Sequence, residues 1–127
     1  MFRTMVKGKL HRVTVTEARL DYTGSITIDP ELMKAADILP HELVHINSMA
    51  NAVHWETYAI PGKPGQICLN GCPARLFQPG DQVIILSLAH LTSEEATVLE
   101  QKVVFVDQAN SITSVEVHGP KDIATSN

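Results

Sequence analysis

The segment Tyr22-Thr23-Gly24-Ser25-Ile26-Thr27-Ile28-Asp29 joins a Gly-Ser bond to a run of β-branched residues. Isoleucine and threonine favour extended backbone, so a strand is predicted over Ser25–Ile28. Asp29 and Pro30 then form a helix start, because the aspartate can cap free amides and proline fits the first helical position. The helix is expected to end before Pro40, since proline cannot continue it. The segment therefore predicts a strand that leads directly into a short helix.

The rest of the chain repeats this short-strand pattern. In residues 10–16 apolar and polar side chains alternate, with Val13 and Val15 on one face, which is typical of a strand with one buried face. Glycine and proline clusters at 61–65 and 79–81 mark turns. Further strands are predicted at 43–47, 55–60, 66–70, 82–89, 103–107 and 112–118, with a short helix or turn at 92–96. Many short strands with such turns indicate a mainly β fold, and periodicity does not choose between a small barrel and a sandwich.

Length and composition limit the classes of function. The 127 residues suit a single domain, 1–127, with one hydrophobic core, and 44% of them are hydrophobic. The net charge of −4 and the lack of a basic stripe argue against nucleic acid as a partner. No apolar run reaches the roughly 18 residues that span a membrane, and the first residues do not resemble a signal peptide. We therefore expect a cytoplasmic protein with no nucleic-acid partner and no membrane partner.

The Gly24–Ser25 bond could supply a cofactor from the chain itself. Glycine can adopt backbone angles closed to other residues, and a strained peptide there would let the serine hydroxyl attack the preceding carbonyl. The amide would become an ester, and β-elimination followed by hydrolysis would convert Ser25 to a pyruvoyl group. A Gly-Ser pair is also a common turn dipeptide, so these two residues alone do not decide between a turn and self-processing.

Four segments share their order and spacing with one known family. They are Lys9-Leu10-His11-Arg12 at the end of the opening strand, Gly24-Ser25 with Ile28-Asp29, Thr57-Tyr58, and Asn70-Gly71 with Pro79-Gly80-Asp81-Gln82-Val83-Ile84-Ile85. Over residues 1–107 the chain thereby resembles the small pyruvoyl-dependent aspartate 1-decarboxylases of pantothenate synthesis. The resemblance implies a cytoplasmic homotetramer of double-psi β-barrels. It also implies cleavage between Gly24 and Ser25 into chains 1–24 and 25–127, with the pyruvoyl group derived from Ser25.

The resemblance also implies roles for individual residues. The pyruvoyl carbonyl would condense with the amine of a small amino-acid substrate and act as an electron sink. Thr57 would support the oxyanion during self-cleavage, and Tyr58 would donate the proton to the carbanion left when carbon dioxide departs. Lys9 would hold a substrate carboxylate. Because neighbours on a strand face opposite sides, either one of Thr57 and Tyr58 reaches the site obliquely or the strand twists or bulges there.

The chain departs from the family where substrate would bind. His54 stands in the place of an arginine that clamps a substrate carboxylate, and a neutral imidazole cannot make that bidentate contact. The family loop Asn-Gly-Ala-Ala-Ala reads Asn70-Gly71-Cys72-Pro73-Ala74 here, and proline has no amide proton. The candidate substrate-binding residues are Lys9, His54, Thr57, Gly71, Cys72 and Pro73.

The histidines and cysteines predict no metal site. Cys68 and Cys72 are too few ligands alone, and no histidine pair has a carboxylate or cysteine at a recognisable ligand spacing. A disulfide between the two cysteines is disfavoured in a reducing compartment. His11 is expected near the site without a defined role. The remaining histidines are interpreted as surface or structural residues: His41, His45, His90 and His118.

Three functions stay open at this level. The default function is decarboxylation of L-aspartate to β-alanine. The departures at His54 and Pro73 suggest a second function, in which the same mechanism acts on a less acidic amino acid. A third is a non-catalytic barrel that serves binding or assembly. Retention of the chemical residues together disfavours the third function: Lys9, Gly24, Ser25, Thr57 and Tyr58. The sequence does not indicate whether cleavage needs a maturation factor.

Overall fold

The computed structural model describes residues 1–120, and strands dominate this part of the chain. Within it, two short helices, α1 (Pro30–Ala35) and α2 (Ser93–Ala96), and a 3-10 turn at Cys72–Arg75 connect nine strands. The strands are β1 (Phe2–Thr14), β2 (Glu17–Arg19), β3 (Ser25–Ile28), β4 (Leu43–Ser48), β5 (His54–Pro61), β6 (Ile67–Asn70), β7 (Gln82–Thr92), β8 (Gln101–Val106) and β9 (Ile112–His118). The mainly β prediction with short helices is confirmed.

The strands form one sheet that closes on itself. Their order is β2-β6-β3-β5-β4-β7-β1-β8-β9. Only Val15 and Thr16 separate β1 from β2, yet β1 pairs with β7 and β2 pairs with β6 at the far end of the order. The amide of Thr16 donates to the carbonyl of Ile67 at 2.8 Å, and the amide of Val15 donates to the carbonyl of Asp81 at 2.8 Å. One continuous segment therefore joins β2, at one end of the order, to β1, which lies near the other end, and this closure is consistent with the predicted double-psi β-barrel.

Helix α1 begins as its sequence predicts. The side chain of Asp29 accepts a hydrogen bond from the amide of Glu31 at 2.9 Å, and Pro30 occupies the first helical position. The second carboxylate oxygen of Asp29 accepts from the amide of Gly65 at 2.8 Å. The cap thus also ties the helix start to the loop before β6, which orients β3 and α1 against the barrel.

Two local features differ from the sequence predictions. The strand predicted over 10–16 begins at Phe2, because β1 pairs with β7 along its whole length, from Phe2 opposite Thr92 to Thr14 opposite Gln82. The short strand β2 and the 3-10 turn have no counterpart among the predicted elements.

Among the described residues, no helix is both long enough and apolar enough to cross a membrane.

Gly8 marks the place where α1 packs closely on β1. A methyl group added at Gly8 would lie 1.9 Å from the carbonyl oxygen of Ala36, the residue that ends α1. Gly8 is buried, and Leu10 and Leu32 are fully buried core residues on β1 and α1. The approach of helix to strand therefore requires the absence of a side chain at this position.

We expect Gly8→Ala to destabilise the fold by about 1–3 kcal/mol, because a backbone oxygen can yield only if the helix end moves. For a domain of this size each kcal/mol lowers the melting temperature by roughly 3–5 °C. Thermal unfolding at one protein concentration measures the effect. Gly119→Ala is the control, since its new methyl group would lie 3.5 Å from Glu100 Cγ, an ordinary contact. Equal melting temperatures for the two variants would contradict the packing argument.

Candidate active site

Ser25 opens strand β3 and is held on both sides by hydrogen bonds. Its side chain is 1% exposed, and the residue pairs with Asn70 of the antiparallel strand β6. The Ser25 hydroxyl donates to the carbonyl of Thr23 at 3.1 Å. Its oxygen accepts from the side-chain amide of Asn70 at 3.0 Å. The hydroxyl at the Gly24–Ser25 bond is therefore buried and fixed in orientation.

Asn70 connects this serine to two other buried polar groups. Its Nδ2 also donates to the hydroxyl of Thr27 at 2.9 Å, and its Oδ1 accepts from the thiol of Cys68 at 3.2 Å. Burial raises the pKa of the Cys68 thiol, so the sulfur remains protonated and can donate. The sequence marks Asn70 only as part of an Asn-Gly match. Its position opposite Ser25 depends on the register of β3 with β6, which the sequence alone does not show.

The unusual backbone at the site belongs to Gly71 rather than to Gly24. Gly71 has a φ of 79°, and a methyl group added to it would lie 2.8 Å from Gly24 Cα. Gly24 is not among the glycines with positive φ in the described residues, which are Gly65, Gly71 and Gly80. The positive φ that glycine tolerates is therefore found at Gly71 and not at Gly24. Glycine is needed at 71 because the loop passes directly over the Gly24–Ser25 segment.

Thr57 and Tyr58 directly precede the part of β5 that pairs with β3, and they lie on opposite faces of β5. Ile26 is the partner of Ala59 in the parallel pairing of β3 with β5, so the preceding residues of both strands are also neighbours. Ala59 is fully buried in the core, and side chains alternate along a strand, so Thr57 faces the core and Tyr58 faces outward. Ser25 lies on the same side of the sheet as Tyr58, because its neighbour Ile26 faces the core, but Ser25 itself is buried there. Thr57 and Tyr58 therefore lie on different sides of the sheet.

Lys9 is not brought beside Ser25 by the strand pairing. It lies on β1 between Leu86 of β7 and Val103 of β8, and three strands stand between β1 and β3 in the sheet order. Its neighbour His11 packs edge-on against Phe105, with ring centroids 5.3 Å apart. Burial, together with the positive charges of Lys9 and Arg12, lowers the pKa of His11, which favours its neutral form.

The loop after Gly71 forms the 3-10 turn Cys72–Arg75. Cys72 is exposed, whereas Pro73 is buried at the start of the turn. The amide of Gly71 donates to the carbonyl of Arg19 and the amide of Ala74 donates to the carbonyl of Gly71. Between Gly71 and Ala74, Pro73 has no amide proton, so Cys72 has the one remaining backbone N–H group. Both cysteines are free thiols.

His54 lies on the outward face of β5, in a cluster with residues of β4. Its Nδ1 is 2.8 Å from Asn47 Oδ1, and its Nε2 is 3.0 Å from Glu56 Oε2. His45 Nε2 lies 3.5 Å from Glu56 Oε1. The hydrogen bond from His54, and then the charge of His45, hold the pKa of the Glu56 carboxyl below its ordinary value. The sequence interpretation of His45 as a surface or structural residue does not include this cluster, which the pairing of β4 with β5 assembles.

The fold and the site define a class of small β-barrel proteins with a buried serine directly after a glycine at the head of a barrel strand. The chain belongs to the aspartate decarboxylase family, whose family model matches residues 1–113. This confirms the predicted family, the barrel fold and the assignment to decarboxylases.

Curated relatives match along nearly the whole chain. Aspartate 1-decarboxylase of Desulfitobacterium hafniense (strain DSM 10664 / DCB-2) is 54% identical over 124 residues, which cover 94% of this chain and 98% of the relative. Aspartate 1-decarboxylase of Pelotomaculum thermopropionicum is 54% identical over 125 residues, covering 94% and 95%. That of Listeria innocua is 54% identical over 117 residues, covering 91% and 92%. The chain is thus similar to these decarboxylases over their full domain.

Asn70→Ala should destabilise the fold by about 1–3 kcal/mol, because it removes the partner of three buried polar groups. The melting temperature at fixed protein concentration measures this loss. Asn51→Ala is the control, since Asn51 also makes two hydrogen bonds, to Leu76 and Val53, but at an exposed position. A loss for Asn70→Ala no larger than that for Asn51→Ala would contradict a structural role for the buried network.

Proposed function

We propose that the chain is a pyruvoyl-dependent aspartate 1-decarboxylase that converts L-aspartate to β-alanine and carbon dioxide. The observation that carries the proposal is the buried Ser25 hydroxyl, held by Asn70 at the Gly24–Ser25 bond in a chain of the aspartate decarboxylase family. The names of the curated relatives support aspartate as the substrate. They do not favour a less acidic substrate or a non-catalytic barrel.

Maturation is proposed to begin with Ser25 itself. Its Oγ attacks the carbonyl carbon of Gly24, the C–N bond breaks, and the hydroxyl proton passes to the amine of residue 25. Loss of the Cα proton of residue 25 then releases the Gly24 carboxylate and leaves dehydroalanine. Water hydrolyses the enamine, in its imine form, and releases ammonia. The products are chain 1–24 with a free carboxylate and chain 25–127 headed by the pyruvoyl group, and the single domain 1–127 thereby becomes two chains.

The surroundings of Ser25 fit this group. A methyl group added to Gly24 would meet only the carbonyl oxygen of Asn70, at 4.0 Å, so there is space beside the bond. The Asn70 amide, which donates to the Ser25 hydroxyl, is placed to donate to an oxygen at residue 25 after processing. When present, the pyruvoyl carbonyl supplies the electron sink for decarboxylation.

Thr57 and Tyr58 are proposed to act at different stages. Thr57 faces the core side of the Gly24–Ser25 bond, where its hydroxyl would stabilise the oxyanion that forms at Gly24 during self-cleavage. Tyr58 shares the outward face with Ser25, where its phenol would return a proton to the carbon that loses carbon dioxide. The alternation of β5 thus allows two neighbouring residues to serve two reactions.

The remaining candidate residues are proposed to bind substrate. Cys72 would donate its amide at the loop that begins with Gly71 and turns at Pro73, and His54 lies on the same outward face as Tyr58. Lys9, three strands away, could reach Ser25 of a neighbouring copy in the homotetramer that the family resemblance implies. The cytoplasmic location stays a prediction.

Intact-mass analysis of purified protein should show chains 1–24 and 25–127, the second blocked at its first residue by pyruvoyl. Ser25→Ala should stay full length, because no hydroxyl is available to attack. Thr57→Val should process more slowly than wild type, since it keeps the shape but loses the hydroxyl. The self-cleavage proposal is wrong if the wild-type chain stays full length both after prolonged warm incubation and in cells. Cleavage only in cells would indicate a maturation factor.

Tyr58→Phe should process normally but release carbon dioxide from aspartate about 10²–10⁴-fold more slowly, as expected for loss of a general acid. Carbon dioxide release by fully processed protein measures this. His41→Ala is a suitable control, because it removes a ring that packs near Tyr58, with ring centroids 6.0 Å apart, and that has no proposed role in proton transfer. If Tyr58→Phe turns over at the wild-type rate, Tyr58 is not the proton donor.

A further inference from the structure

Three metal-ligating side chains meet on the outward face of β4 and β5. His45 is the cross-strand partner of Glu56, and Asn47 is the partner of His54. Partners at alternate positions of two paired strands lie on the same face. One ligand atom from each of His45, His54 and Glu56 lies within 4.8 Å of the others. The side chains of His45 and Glu56 are 25% and 49% exposed, so an ion can reach them from solvent.

The spacing of the ligand atoms fits a small transition-metal ion. Zinc bonds of about 2.0–2.1 Å in a tetrahedral site place neighbouring ligand atoms about 3.3 Å apart. His54 Nε2 lies 3.0 Å from Glu56 Oε2, and His45 Nε2 lies 3.5 Å from Glu56 Oε1. Both separations are close to the tetrahedral value. Small side-chain rotations would therefore bring all three groups onto one ion.

The hydrogen bond from Asn47 orients His54 for this role. Asn47 Oδ1 lies 2.8 Å from His54 Nδ1, and an amide oxygen only accepts, so Nδ1 carries the proton. In a neutral ring, Nε2 then directs its lone pair at the Glu56 carboxylate. A metal ion beside this nitrogen would also contact the carboxylate, because His54 Nε2 and Glu56 Oε2 lie 3.0 Å apart. Metal-ligating histidines commonly donate their second ring N–H to an oxygen in this way.

We propose that His45, His54 and Glu56 bind one divalent transition-metal ion, with zinc the best fit. Two imidazoles and one carboxylate are a donor set that suits zinc and leaves at least one coordination position open. This revises the expectation from the sequence that the chain has no metal site. The proposal rests on the pairing of β4 with β5 and does not depend on the proposed decarboxylation.

Zinc titration of untagged, metal-stripped full-length protein by calorimetry tests the site. One zinc ion should bind per copy of residues 1–127, whether or not the Gly24–Ser25 bond is cleaved. His45→Ala, His54→Ala and the isosteric Glu56→Gln should each weaken binding by more than the ~10–100-fold that is typical for loss of a supporting residue. Asn47→Ala should fall in that 10–100-fold range. Cobalt in place of zinc should give visible absorption bands that the Glu56→Gln variant alters.

The controls separate this site from other thiols and histidines. Cys72→Ser and His90→Ala should bind zinc like wild type, since Cys72 lies on the 3-10 turn and His90 on β7 beside Thr4. Ser25→Ala should also bind zinc normally, so failure of self-cleavage and failure of the metal site are distinguishable. Absence of zinc binding by wild type overturns the proposal. So does binding that survives unchanged in folded His54→Ala and Glu56→Gln variants, as judged by their circular dichroism.

Discussion

The closure of the barrel at Thr16 and Ile67 positions β6, and through it the strand that carries Ser25. The Thr16 amide donates to the Ile67 carbonyl at 2.8 Å, and the Ile67 amide donates to the Thr16 hydroxyl at 3.0 Å. This reciprocal pair anchors β6 to the segment that leaves β1. Because β6 pairs with β3 in a single register, Asn70 comes to lie opposite Ser25. A shift of one residue would turn the Ser25 side chain to the other face, where Ile26 now meets the core.

Local structure was readable from the sequence wherever a nearby residue determines it. The strands Ser25–Ile28 and Ile112–His118 end where predicted, and the Asp29 and Thr92 side chains cap their helices. The three-residue strand β2 was not readable, because it is too short for a periodic pattern and exists only through pairing with β6. The full length of β1 was likewise hidden, since its first residues are extended by pairing with β7 rather than by their own alternation.

The sequence names candidate residues for the site but does not show their geometry. Family resemblance placed Thr57 and Tyr58 at the site, whereas the burial of Ala59 shows which of them faces the core. The sequence also does not show which glycine near the Gly24–Ser25 bond has a positive φ. The glycine with a positive φ is Gly71. It lies close to Gly24 because the loop after β6, which is far from Gly24 in sequence, passes over it. Residue types and spacing do not show which distant segments of the chain come into contact.

The outward face of β5 combines these points. Tyr58, Glu56 and His54 follow one another at alternate positions on it, and Ser25 of β3 shares that face. An arginine at position 54 would bring a permanent charge, whereas a histidine carries one only when it binds a proton or an ion. Glu56 can share a metal ion with His54, because its carboxylate lies 3.0 Å from His54 Nε2. With a histidine in place of arginine, the charge at this end of the face therefore depends on whether His54 binds a metal ion. His45 of β4 supplies the second imidazole for that ion.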